Sequence, residues 1–376
     1  MGSVLIDASN LRVGGGVQVA ASFIDEMAEL RRDPQVVGRF PWLPTADIEC
    51  SATVAESMKT NPSDLSTLRI VDRSSRELRR WIPVRDKYDV SFVVFGPEYA
   101  ARRARRRIVG YADVRSVYPS PHGEVLSARS AWRWRLRGVL SRLLMRRPDQ
   151  IVVETEAFGE QVAARGVASP ERIVVVSNAY NATFDEPETW TRPGTLPDKV
   201  EADHVLAYVA RGYAHKNHPF LTEVSHAANR AGVSVRFLVT LSEEHWDKQT
   251  PEFRNVCVNV GPLPVSMVPA VYEAADAAIF PSLLEAFSAM PLEAMTMGRV
   301  VFASDRDFVR TVCGDAAVYI DPLDPVSAAT VIIKNLADRR RVANQIARGR
   351  ELLDELPTAR DRALGYLMII GNEIED

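Results

Sequence analysis

Short apolar runs alternate with amphipathic stretches along nearly the whole chain, and that alternation restricts the fold more than any other feature. Candidate strands are Val4–Ile6, Val90–Phe95, Ile151–Val153, Ile173–Val176, Val205–Val209, Val233–Thr240, Ala277–Phe280, Val300–Ala303 and Ala317–Ile320. Candidate helices fall between them, among them Val17–Leu30, Trp132–Met145, Pro219–Ala231, Val268–Ala275, Pro291–Met297 and Pro325–Ile346. Strand–helix–strand alternation builds parallel sheets covered by helices on both faces, an α/β fold. At 376 residues the chain exceeds one comfortable core, so two doubly wound domains are expected. The stretch 185–198 carries Pro187, Pro193 and Pro197 among Glu, Thr and Gly and reads as the linker between them.

Composition narrows the class. The chain is 46% hydrophobic and 25% charged, which excludes disordered, collagenous and disulfide-framework proteins. Cys50, Cys257 and Cys313 are spaced for neither a zinc site nor a disulfide framework, and read as reduced, buried thiols of a cytosolic protein. The N-terminus reads as running straight into the first strand, so no secretory leader is expected, and no run of 18 apolar residues is present to span a bilayer. The net charge of −3 hides an asymmetry. Residues 1–150 carry 25 basic and 17 acidic side chains, a net of +8, leaving 21 and 32, a net of −11, for residues 151–376. Two halves of opposite sign suggest different partners.

In doubly wound sheets ligands bind beyond the carboxyl ends of the strands, so the residues following each strand matter most. After the first strand, Gly14-Gly15-Gly16 precedes an amphipathic helix. Glycines at such a turn let backbone N–H groups approach an anion. The dinucleotide fingerprint would need glycine at position 19, which is Val19, so a nicotinamide dehydrogenase is disfavoured. A tight structural turn is the competing reading. After Val205–Ala210 come Arg211 and Lys216, just before a helix that opens at Pro219. Two cations there suit a diphosphate, each charge-assisted contact contributing about 1.5–3 kcal/mol. A solvated loop with two surface cations is the alternative. The segment 280–295 is the most informative. Glu285 lies on an apolar loop, the amides of Phe287, Ser288, Ala289 and Met290 precede a helix start, and Glu293 falls in its first turn. The acids could grip sugar hydroxyls while the N–H groups face phosphate.

The Glu-x7-Glu spacing around Leu292-Glu293-Ala294-Met295 resembles the signature of retaining GT-B glycosyltransferases of the family 4 type, the glycosyl transferases group 1. Other segments fit in the same order. These are Gly14–Gly16, Val176-Ser177-Asn178, Arg211 with Lys216-Asn217, Val301–Asp305, Gly314–Ala317 and Asp321–Pro325. The similarity covers residues 200–330 and is patchy over 1–180. It implies two Rossmann-like doubly wound domains facing each other across a cleft. The first would be an acceptor domain over 1–184, followed by a linker over 185–199. A donor domain over 200–355 and a C-terminal helix over 356–376 packing back toward the first domain would complete the chain. Carried over residue by residue, Arg211 and Lys216 would neutralise the departing diphosphate. Glu293 would hold the ribose hydroxyls, and Glu285 the donor sugar. The amides of Phe287, Ser288, Ala289 and Met290 would support sugar and phosphate, and Gly15 and Gly16 would close over the diphosphate. Where the family often has Gly-Phe-Gly, this chain has Ala286-Phe287-Ser288.

The implied reaction moves a sugar from a nucleoside-diphosphate sugar to an acceptor hydroxyl with retention, without a metal or other cofactor. A lipid-linked or envelope polysaccharide intermediate is the expected acceptor. His122 is a candidate catalytic residue on the acceptor side, with Pro97-Glu98 as a weaker one. A sugar-nucleotide epimerase, a phosphorylase and a non-catalytic sugar-nucleotide or nucleic-acid binding protein are the alternatives. Finally, residues 102–147 are rich in arginine, and Trp132, Leu136, Leu140 and Leu143 or Leu144 share one helical face. That suits an anionic membrane surface, in a cytoplasmic protein placed peripherally on the inner face of the cell membrane. A core-packed helix with a solvated arginine face is the plainer reading. Nucleic acid is not expected as a partner, because no recognition module accompanies the charge.

Overall fold

A computed structural model describes residues 2–71, 87–97, 104–118 and 128–375. The chain forms two compact units. The described residues up to Tyr118, Ala128–Ala179 and Pro357 onward make the first, and Tyr180–Leu356 makes the second.

Among the described residues the first unit holds seven strands: β1 (Val4–Ala8), β2 (Asp47–Cys50), β3 (Leu68–Ile70), β4 (Tyr88–Val93), β5 (Ala104–Gly110), β6 (Gln150–Val153) and β7 (Ile173–Val175). The second holds six: β8 (His204–Tyr208), β9 (Val235–Val239), β10 (Cys257–Asn259), β11 (Ala277–Phe280), β12 (Val300–Ser304) and β13 (Val318–Ile320). The spatial orders are β3-β2-β1-β4-β5-β6-β7 and β10-β9-β8-β11-β12-β13, with every pairing parallel. Each order runs outward from its first strand and then reverses, the doubly wound arrangement. The switch point falls between β1 and β4 in one unit and between β8 and β11 in the other. Central strands of such sheets are covered on both faces, which is why they read as unbroken apolar runs. Every residue of β1, β11 and β12 is buried.

Four strands escape the apolar reading. β2 and β3 are short and carry charge, β5 has Arg105-Arg106-Arg107 directly after its first residue, and β10 is three residues long. The basic run there is therefore partly strand. Arg106 pairs with Asp149 at 3.9 Å and with Glu373 at 3.5 Å. The helix expected over 325–346 is two helices, Pro325–Leu336 and Arg339–Glu355. Asp338 caps the second by accepting from the N–H groups of Arg340 and Arg341, so the chain restarts there.

The segment read as a linker is bonded into the second unit. Phe184 and Leu196 are buried in that unit's core. Thr195 Oγ1 donates to the Val260 carbonyl at 2.6 Å, and Thr191 N donates to Ser266 O at 3.0 Å. Helix Ala359–Glu375 belongs to the first unit. Its Ala363, Tyr366, Leu367 and Ile370 recur at helical spacing and join that core. The Tyr366 ring lies 5.0 Å from Phe23 and 4.9 Å from Phe92. Beside it, buried Arg362 donates to Asn178 Oδ1 at 2.6 Å and to Ser22 Oγ at 2.7 Å. Asn178 Nδ2 in turn donates to Glu154 Oε1 at 2.5 Å. A buried guanidinium is tolerable only with such partners. All three cysteines are buried and unbridged.

Candidate active site

The site forms at the switch point of the second sheet, from the loops that follow β8 and β11. After β8 the chain makes a short 3-10 turn, Ala214–Lys216, and then places Asn217 at φ 57° before helix Pro219–Arg230. Asparagine is among the few non-glycine residues that take this left-handed conformation readily. Its side chain is used as well, Nδ2 donating to the Pro322 carbonyl at 2.9 Å. The fully buried Tyr208 hydroxyl donates to the Lys216 carbonyl at 2.7 Å. The backbone that carries Lys216 is thus held from both sides.

After β11, the loop is tied to the first. Leu283 N donates to the His215 carbonyl at 2.8 Å. The buried Ser282 hydroxyl lies 3.2 Å from the same carbonyl and 2.6 Å from Glu285 Oε1. A hydroxyl has one proton, so the shorter, charge-assisted contact is the donated bond. Lys216 Nζ meets the same Oε1 at 2.5 Å, with the two side chains only 15% and 12% exposed. His215 Nε2 stands 3.8 Å from that oxygen, and burial lowers the imidazole pKa. The Lys216 ammonium also lies 5.4 Å from the Phe280 ring centroid.

Glu293 sits in the helix Met290–Thr296. Its Oε2 lies 3.4 Å from the Tyr272 hydroxyl, which is equally far from the Met290 carbonyl. Burial pushes the Glu293 carboxyl up to about 7, against the opposing pulls of the Tyr272 hydroxyl and the Lys216 charge. No side chain caps the first turn of this helix, and Phe287, Ser288 and Ala289 are half-buried just before it. One half-buried ammonium thus meets Glu285 directly, and its charge also acts on Glu293.

Arg211 is exposed and joins none of these groups, although it follows the same strand. Gly212 is required by packing, because a Cβ there would come within 2.5 Å of the His245 ring. Tyr213 stacks on His215 with centroids 5.7 Å apart. His218 is buried against Tyr208 at 4.9 Å, and burial lowers it to about 3, which keeps it a neutral packing residue.

In the first unit, Gly14 is the residue that the turn demands. It caps helix Gly15–Leu30 at φ 85° and ψ −168°, a region open essentially to glycine alone. Gly16 packs closely, since a Cβ there would meet Phe95 at 3.3 Å, whereas Gly15 faces open space. Asn10 Nδ2 donates to the Phe95 carbonyl at 2.7 Å and joins the turn after β1 to the end of β4. His122 and Glu98 lie outside the described residues. Among the described residues no cluster of three His, Cys, Asp or Glu side chains is arranged for a metal ion. Sequence reasoning did not single out Ser282, Tyr272 or His215. Ser282 and His215 carry only the signal of adjacency to the chosen residues, and Tyr272, 21 positions before Glu293, carries none.

The loops that follow β8 and β11 fall inside a recognisable segment. Residues 203–338 match the family model for glycosyl transferases group 1. The match supports sugar transfer in general terms. No curated protein matches the chain significantly in sequence. Solved structures do match in fold. A glycosyltransferase from Rickettsia africae has a TM-score of 0.69 at 13% identity, covering 100% of this chain and 99% of that one. Anabaena HepE, solved with UDP and glucose, gives 0.70 at 14% identity, with coverage of 99% and 100%. Sucrose-phosphate synthase from Thermosynechococcus elongatus gives 0.70 at 14%, with 98% of both chains covered. The likeness is one of fold, two parallel Rossmann-like α/β domains of the GT-B kind.

Proposed function

We propose that the protein is a retaining glycosyltransferase of the family 4 type. It would move a sugar from a nucleoside diphosphate to an acceptor hydroxyl, without a metal. The observation that carries this reading is the Lys216–Glu285 pair beside Glu293 at the switch point of the group 1 segment. Breaking the bond between the anomeric carbon and the diphosphate leaves a dianionic group. A fixed cation aimed at that developing charge is the main electrostatic help available. Lys216 is already oriented, and its salt bridge to Glu285 keeps the ammonium neutralised until phosphate oxygens replace the carboxylate. Arg211, on the same loop, adds a second cation from the solvent side. Glu285, released from Lys216, can accept from donor-sugar hydroxyls, and Glu293 from the ribose. Gly15 and Gly16 are assigned to the donor diphosphate, and His122 to the acceptor side.

HepE was solved with UDP, so uridine diphosphate heads the donors to test. A lipid-linked or envelope glycan acceptor in the cytoplasm completes the proposal. Thermal denaturation against UDP, GDP and ADP and their sugars checks it. A ligand at 100 times its Kd stabilises the native state by about 2.7 kcal/mol, so one base should stand out. Absence of any stabilisation across the panel overturns the reading. With the donor known, the anomeric configuration of the product tests retention.

A further inference from the structure

Helix Ala128–Leu144 is attached to the first unit in an unusual way. Gly138, Ser141 and Met145 are buried, and the Ser141 hydroxyl lies 2.9 Å from the buried Tyr111 hydroxyl. The side toward the protein is therefore made by small Gly138 and Ser141, with Met145 just past the helix end. The opposite face carries the large apolar side chains. Trp132, Leu136, Val139, Leu140 and Leu143 are between 49% and 64% exposed. At 3.6 residues per turn they form one stripe roughly 100° wide and about 16 Å long. Arg135 and Arg142 flank it on one side, Arg133 and Arg137 on the other. From Val125 to Pro148 the sequence contains seven arginines and no acidic residue. A core-packed helix with a solvated arginine face is thus not what forms, because the apolar side points outward.

We infer that this stripe docks the protein on an anionic lipid bilayer. The charge pattern selects that occupant. An apolar stripe can enter the acyl boundary while arginines on both flanks reach headgroup phosphates, and their long stems allow this without fixed partner positions. A folded protein partner would need acidic side chains matched to both rows. The glycosyl-transfer reading is not needed for this inference, because it rests on a different face and a different unit.

The test uses the full chain and co-flotation with vesicles of phosphatidylcholine alone or with 30 mol% phosphatidylglycerol. Binding is expected to the anionic vesicles at about 0.15 M salt and to weaken at about 0.5 M. Leu136→Asp with Leu140→Asp, both at exposed sites, should abolish it with the thermal transition unchanged. Each arginine near the surface contributes about fivefold in affinity. The triple variant Arg133→Gln, Arg135→Gln, Arg137→Gln should therefore lose about a hundredfold. Three results would overturn the inference. One is no flotation with anionic vesicles. Another is binding that the aspartate pair leaves intact. The third is a concentration-dependent dimer or a duplex-DNA complex that competes with vesicles and is lost in the same variants.

Discussion

The two sheets share one winding order yet furnish their switch points differently. Between β8 and β11 the second unit places charged side chains, Lys216 held by Tyr208, Glu285 by Ser282, and Glu293 beside Tyr272. Between β1 and β4 the first unit places backbone, with Gly14 in a glycine-only conformation and Asn10 joined to the Phe95 carbonyl. The topology fixes where a site can form. The loop residues decide whether it works through side-chain charge or through close approach of the main chain.

The largest expected effect falls on the charged side. Lys216→Ala should lower kcat by about 10²–10³-fold, the scale of removing one fixed transition-state donor. Circular dichroism should stay unchanged, because the Lys216 backbone is held by Tyr208. Release of nucleoside diphosphate from the donor reports the loss. A variant near the wild-type rate breaks the contrast between the two switch points.

Glu293 gives the next effect. Its carboxyl titrates near 7 in the folded chain and near 4.3 when unfolded. The folded state thus holds the proton more tightly. The stability from that proton is fully present below about pH 4.3 and lost as pH rises through about 7. Glu293→Gln should remove this dependence and stabilise the ligand-free protein at pH 8 by roughly 3–4 kcal/mol. Donor affinity should run the other way in the wild type, rising as the carboxylate forms around pH 7. Denaturant titrations and donor binding across pH 5–8 read both trends.

The smallest effects sharpen the backbone side. Gly14→Ala should cost about 1–3 kcal/mol, since alanine must occupy φ 85°. Gly15→Ala meets open space and should leave stability unchanged or raise it by about 0.5 kcal/mol. If Gly15→Ala nonetheless weakens donor binding, that turn approaches the ligand. Unchanged binding makes it a structural turn alone.

Much of this was legible in the sequence, for identifiable reasons. The central strands are buried on both faces, so β1, β8, β11 and β12 announce themselves as apolar runs. β5 hides because three arginines, Arg105, Arg106 and Arg107, fill its first half, and β2 because Asp47 and Glu49 interrupt it. Lys216, Glu285 and Glu293 were legible as charges after strands. Their pairing was not, because Lys216 and Glu285 meet only when β8 and β11 become neighbours. The same holds for Asn178, which was legible as a strand-end residue. Its partner Arg362 lies 184 positions away. The outward stripe of helix Ala128–Leu144 was visible as a periodicity. Its direction depends on Gly138 and Ser141, whose small size gives no apolar signal.

The C-terminal helix carries a consequence for how the chain is made. Seen by connectivity, the second unit is an insertion between Ala179 and Pro357. Tyr366 and Arg362 reach the first core only after that entire insertion has been translated. The second sheet can therefore form while the first unit still exposes Phe23 and Phe92 and leaves Asn178 without its guanidinium. Released chains truncated after Leu356 should bind chaperones through the first unit. Such chains would hold a folded second unit beside an unfinished partner.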